Sequence, residues 1–91
     1  MLDPIRKNKF KKDVELLKKR GRNMKKLRDV MGWLIDGKRL DKKYLPHKLQ
    51  GEYSDCIECH IEPDWLLIYL VDNDKNTITF VRTGTHSDLF K

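Results

Sequence analysis

The sequence predicts an α+β fold: an N-terminal helical hairpin packed on a small, mainly antiparallel sheet whose C-terminal part is a three-stranded meander. Apolar residues recur at helical spacing through residues 8–36. Three strand-length segments follow between residues 53 and 82, separated by tight turn signals. At 91 residues, the chain has room for one modest core, so residues 1–91 are expected to form a single domain.

Residues 2–6 hold Pro4, which permits only an edge strand or an extended lead-in. From Asn8 or Lys9 to about Arg20, Phe10, Val14 and Leu17 form one apolar stripe, and Gly21 suits the C-terminal cap. Asn23 can cap a second helix to about Asp36, with Met24, Leu27, Val30, Met31, Leu34 and Ile35 at the 3.6-residue period. The short Gly21-Arg22-Asn23 link makes the pair an antiparallel hairpin. Trp33 is expected to be buried against the sheet.

Residues 38–51 show little periodicity and read as a loop packed across the sheet, delivering His47 beside Pro46. Residues 53–61 alternate: Tyr53, Asp55, Ile57, Cys59 and Ile61 share one face, and Cys56, Glu58 and His60 the other. Glu62-Pro63-Asp64 then turns the chain into Leu66-Leu67-Ile68-Tyr69-Leu70-Val71, the longest apolar run, which suits a strand buried on both faces. A turn at 72–76 leads to a last strand at 77–82. Gly84 allows a sharp turn, and Thr85 suits the cap of one short helical turn.

Charge is divided unevenly. Residues 1–49 carry 17 Lys and Arg against 6 Asp and Glu, net +11, whereas residues 50–91 carry 3 against 8, net −5. A basic half of that strength points to a polyanionic partner. No window of 18 apolar residues exists to span a membrane. The N-terminus lacks the apolar core of a signal peptide, so the expected compartment is the cytoplasm. Cys56 and Cys59 form a C-x-x-C, but strand residues three apart face opposite ways and no second pair completes a zinc site.

In a meander, the end of the strand at His60, the start of the next at Asp64 and Trp65, and the end of the last at Arg82 meet at one edge. His86 follows Arg82 closely. Two His, one Asp and one Arg make a phosphodiester-cleaving set: His as general acid or base, Arg as partner of the phosphate. Trp65 and Phe90 would supply stacking faces for unpaired bases. The structural alternative is that His60 and Asp64 satisfy a turn while Arg82 pairs with Glu58 or Glu62. A metal site of His60, His86 and Asp64 is the chemical rival, without the tight spacing of a zinc hydrolase.

Three segments carry a resemblance: His47-Lys48-Leu49-Gln50-Gly51, Cys59-His60-Ile61-Glu62-Pro63-Asp64-Trp65-Leu66-Leu67-Ile68-Tyr69, and Arg82-Thr83-Gly84-Thr85-His86-Ser87-Asp88-Leu89-Phe90. In this order they closely resemble the YafQ branch of the RelE/ParE toxin superfamily. The resemblance implies an mRNA endoribonuclease of a bacterial type II toxin–antitoxin pair. Such an enzyme acts in the ribosomal A site with no metal or other cofactor, leaving a 2′,3′-cyclic phosphate and a 5′-hydroxyl. It implies an acidic antitoxin partner, contact with mRNA and ribosomal RNA, and binding of operator DNA only as the toxin–antitoxin complex. His47, His60, Asp64, Arg82 and His86 match its catalytic positions, and Trp65 and Phe90 its substrate-packing ones. On that basis His86 is the expected acid, Asp64 or His47 the base, and His60 and Arg82 the phosphate holders. Other functions open to the fold are a ParE-like poison of DNA gyrase, which lacks the histidine set, and a catalytically silent binding module.

Overall fold

The computed structural model describes residues 1–90. A five-stranded sheet runs in the order β1-β5-β4-β3-β2, with β1 at Asp3–Arg6, β2 at His47–Lys48, β3 at Ile57–Glu62, β4 at Trp65–Asp72 and β5 at Thr77–Gly84. The strands β3, β4 and β5 form the expected antiparallel meander, and β1 lies parallel to β5 at one edge. Pro4 sits on that edge strand, where a missing N–H does least harm.

Helices α1 (Asn8–Lys19) and α2 (Met24–Ile35) pack on one face of the sheet. Their stripes supply Phe10 and Leu17 from α1, and Leu27, Val30, Met31 and Leu34 from α2, to the main core. The sheet answers with Cys59, Ile61, Trp65, Leu67, Tyr69, Ile78 and Phe80. Asn23 caps α2 by accepting the backbone N–H of Lys25 at 3.0 Å. Gly21 takes φ +80° in the link, a conformation costly for any side chain. No helix among the described residues is long and apolar enough to cross a membrane.

The other face carries a second, smaller cluster of Cys56, Leu66, Ile68 and Leu89. Leu66 to Ile68 are thus buried from both sides, as the continuous apolar run requires. Cys56 and Cys59 fall in different clusters and remain free thiols. Burial pushes the Cys59 thiol up to about 12, which makes it unreactive.

Three sequence expectations change. Residues 38–51 are more than a packed loop: Leu40 and Tyr44 pack on the main core, but His47 and Lys48 extend the sheet's edge, pairing with Glu58 and Ile57 as β2. The strand expected from residue 53 begins only at Ile57, because Gly51–Tyr53 folds as a single 3₁₀ turn. Trp33 is not buried against the sheet. It lies off the Leu27-Val30-Leu34 stripe, remains 36% exposed, and packs on Tyr44 with ring centroids 5.9 Å apart.

Helix α3 (His86–Leu89) has a full capping box: Thr85 Oγ1 accepts the Asp88 N–H, and Asp88 accepts the Thr85 N–H. Asp88 also takes both guanidinium nitrogens of Arg20, at 2.7 and 3.0 Å, and so ties α3 to the end of α1. A Cβ on Gly84 would lie 3.0 Å from Asp88, so glycine is needed there for this close approach. Arg20, with help from Thr85, holds the Asp88 carboxyl well below the usual range, against the opposing effect of burial. A depressed folded-state pKa means that this stabilisation is present above the ordinary carboxylate value and fades as pH falls through the lowered one. Asp88→Asn is therefore expected to lower the melting temperature by a few degrees at neutral pH. Thermal scans of the two proteins should converge as pH drops below about 4.

Candidate active site

The register of the sheet puts the candidate residues side by side. His47 on β2 faces Glu58 on β3, and Glu58 faces Ile68 on β4, which faces Arg82 on β5. One pleat further along, His60 faces Leu66, which faces Gly84. The three histidine rings consequently form a row, His47 to His60 at 6.3 Å and His60 to His86 at 5.9 Å between centroids.

At one end stands a His86–Asp64 pair. His86 Nδ1 donates to Asp64 Oδ1 at 2.6 Å, and the His86 backbone N–H donates to the same oxygen at 3.0 Å. Both elements are fixed locally: Asp64 by the 62–65 turn and His86 by the capping box of α3. The His86 N–H groups, backbone first and then side chain, hold the Asp64 carboxyl below its usual range. Asp64 is therefore an anion that orients the ring, leaving Nε2 for substrate.

At the other end, Glu58 is only 5% exposed and serves two histidines. Its Oε2 lies 3.0 Å from His47 Nε2 and 3.6 Å from His60 Nε2. His47 Nδ1 donates to the carbonyl of Leu45 at 2.9 Å. That carbonyl is aimed by an uncommon backbone: Leu45 sits at φ +48°, a left-handed conformation unfavourable for a bulky side chain. His60 Nδ1 faces the Pro63 carbonyl at 3.3 Å. Each of these two rings thus has acceptors on both sides.

Arg82 and Trp65 are placed otherwise than expected. Arg82 pairs with neither Glu58 nor Glu62 but with Asp13 of α1, through Nε at 2.7 Å and Nη2 at 3.0 Å. Asp13 also accepts the Thr83 N–H at 3.1 Å, satisfying β5 beyond the reach of β1. The pair raises the Arg82 pKa and leaves fewer donors for a phosphate. Trp65 has no exposed face for a base. It is fully buried in the main core, with Nε1–H donating to Thr83 Oγ1 at 3.0 Å. Thr83 in turn donates to the Leu66 carbonyl at 2.7 Å. Phe90 is open, 45% exposed, and meets Tyr53 edge to face. Among the described residues, no group of three His, Cys, Asp or Glu side chains is arranged to hold a metal ion.

Residues 2–91 match the family described as the bacterial toxin of the type II toxin-antitoxin system, YafQ. This chain belongs to the YafQ toxin family. It is similar to the mRNA interferase toxin YafQ of Escherichia coli K12, 44% identical over 82 residues that cover 89% of this chain and 87% of that one. It also matches a chain in the crystal structure of the E. coli DinJ–YafQ complex, with a TM-score of 0.92, 38% identity and full coverage of both chains. A metal-bound toxin from Helicobacter pylori matches with a TM-score of 0.92 and 42% identity, over 99% of this chain and 100% of that one. The α+β architecture read from the sequence is therefore the architecture of the YafQ family.

The structure adds to the site of this YafQ-family chain one residue that the sequence reading passed over. Glu58 was visible, since strand alternation puts it on the face of His60. Its burial and its contact with His47 appear only in the structure. Asp13 gave none, because its partner is 69 residues away.

Proposed function

We propose that the chain is a ribosome-dependent endoribonuclease that cuts mRNA in the A site, the toxin of a bacterial toxin–antitoxin pair. The observation that carries this is the row of three histidines closed at one end by the His86–Asp64 pair and at the other by Glu58. Such a row suits cleavage by the RNA's own 2′-oxygen, so neither a metal nor a protein nucleophile is asked for. The 2′-OH attacks the adjacent phosphorus as its proton leaves to a base, the P–O5′ bond breaks, and O5′ takes a proton from an acid. The products are a 2′,3′-cyclic phosphate and a 5′-hydroxyl.

His86 is the acid, because Asp64 holds its Nδ1–H and leaves Nε2 for O5′. Asp64 is committed to that task, so the base falls to the His47–Glu58 pair. As the half-exposed His47 ring swings off the Leu45 carbonyl, its Nδ1 proton is released to solvent; Nε2–H stays on Glu58, and the freed Nδ1 lone pair takes the proton of the 2′-OH. His60, between the other two histidines, is placed to meet the charge developing on the phosphate. Arg82 contributes through the guanidinium N–H groups that Asp13 leaves free, and Phe90 offers a stacking face.

The net +11 of residues 1–49 suits ribosomal RNA and makes binding salt-sensitive. It equally suits an acidic antitoxin, so neutralisation is a competition for one surface. Operator DNA is bound by the two proteins together.

The test is primer extension on mRNA from translating ribosomes. A cut in the reading frame supports the proposal; an uncut message with DNA gyrase inhibited replaces it with the gyrase reading. Glu58→Gln keeps the shape of the side chain but weakens its pull on His47. It is expected to lower kcat about tenfold or more, with little change in KM.

A further inference from the structure

Beside the histidines lies a groove that the cleavage chemistry does not use. It encloses about 480 Å³, within the roughly 300–1,000 Å³ of small-ligand sites. It runs between α2, the 42–45 turn and the outer edge of β3 past the end of β2, and it reaches His60.

Its walls have a definite chemistry. Trp33 and Tyr44 make an aromatic corner, ring planes 59° apart, and Trp33 remains 36% exposed. Lys43 Nζ stands 5.2 Å from the centre of the Tyr44 ring. The two carboxylates on the groove are already neutralised. Asp29 is paired with Lys25 at 3.0 Å, and Glu62 is held by Lys26 and Arg22, each at 2.9 Å. Lys43 is thus the surplus charge, and the groove is aromatic, cationic and continuous with the site.

Resting on the ribonuclease reading above, we propose that this groove holds one unpaired base of the mRNA next to the scissile phosphate, stacked on Trp33. An aromatic platform with a nearby cation is how single-stranded nucleic acid is gripped. A base held there fixes the register of the strand over His60. A protein segment or a ribosomal RNA base would fill the same space, but neither is tied to the scissile position as the flanking nucleotide is.

The test uses programmed ribosomes with an open A site. Their mRNAs carry each normal base, or an abasic residue, at the nucleotides flanking the cut. For the parent chain, removing one flanking base is expected to raise KM about tenfold. Trp33→Ala is expected to raise KM on intact mRNA by a similar factor, leave kcat near the parent's, and show no further loss on the abasic message. Trp33→Phe restores the parent's KM. Because Trp33 lies outside the core stripe, its variants are expected to keep the parent's melting temperature, and Tyr44→Ala repeats the measurement from the opposite wall.

An unchanged KM for Trp33→Ala overturns the proposal. So does a KM raised equally on every message, which assigns the groove to ribosomal RNA. A loss confined to antitoxin affinity assigns it to protein. A parent chain that cuts nothing removes the ribonuclease reading as well, whereas a parent that cuts while Trp33→Ala keeps its KM removes this proposal alone.

Discussion

Replacing His86 with alanine is expected to cut the rate of mRNA cleavage by about 10²–10⁴ while leaving the fold intact. The chemical half rests on geometry. The His86 ring is held at both ends of its attachment, by the capping box beneath it and by the 2.6 Å bond to Asp64, so Nε2 has one place to be. In the proposed mechanism, removing the imidazole leaves the departing 5′-oxygen without a proton donor. The structural half rests on exposure: the side chain is more than half exposed, and the backbone N–H that also binds Asp64 survives the change. Single-turnover cleavage on ribosomes checks the rate, and thermal unfolding checks the fold. The pH profile adds a reading that a merely structural role would not move. Asp64 is held below its usual range, so its charge is present throughout neutral pH and lost only as acid reaches the lowered value. Changes in rate near neutral pH therefore do not come from Asp64. The alkaline limb, where a general acid loses its proton, is expected to vanish from the residual rate of His86→Ala. Full retained cleavage would remove His86 from the acid's role.

The gathering of these residues was legible because it depends on connectivity. Once Tyr53 to Arg82 reads as a meander, the 62–64 turn and the end of the last strand must share an edge, whatever the side chains do. The helices were legible because Phe10-Leu17 and Leu27-Leu34 each keep one period for about two turns. The pair His47-Lys48 was not, since two residues have no period and their strand exists only through its partner Glu58-Ile57. Arg82 was misjudged for a related reason. Its acid lies on α1, and only the docking of that helix against β5 reveals which carboxylate is near. Trp33 was misplaced by assuming that a large aromatic seeks the core. Its position off the apolar stripe pointed outward, and the structure follows the stripe.

Trp65→Ala is expected to be the most damaging core substitution, costing about 3–5 kcal/mol against a total stability of about 5–15 kcal/mol for a domain of this kind. Trp65 is fully buried, and truncation empties space in the main core. It also removes the N–H that Thr83 accepts and the ring beneath the Arg22 guanidinium, 5.9 Å from its centre. The melting temperature is expected to fall by more than about 10 °C. Stability and cleavage can be separated with a residue that packs but does not stack. Trp65→Leu is expected to lower the melting temperature substantially, yet to cut mRNA with a KM near the parent's when assayed well below that temperature. Phe90→Leu is expected to do the reverse, because Phe90 is exposed and carries little of the core. If instead Trp65→Leu raised KM without loss of stability, Trp65 would return to the substrate surface, and the burial of its ring would have to be relieved when RNA binds. The packing role follows from where the residue stands: it opens β4 at the turn that presents Asp64, so the largest fully buried side chain among the described residues anchors the residue next to it.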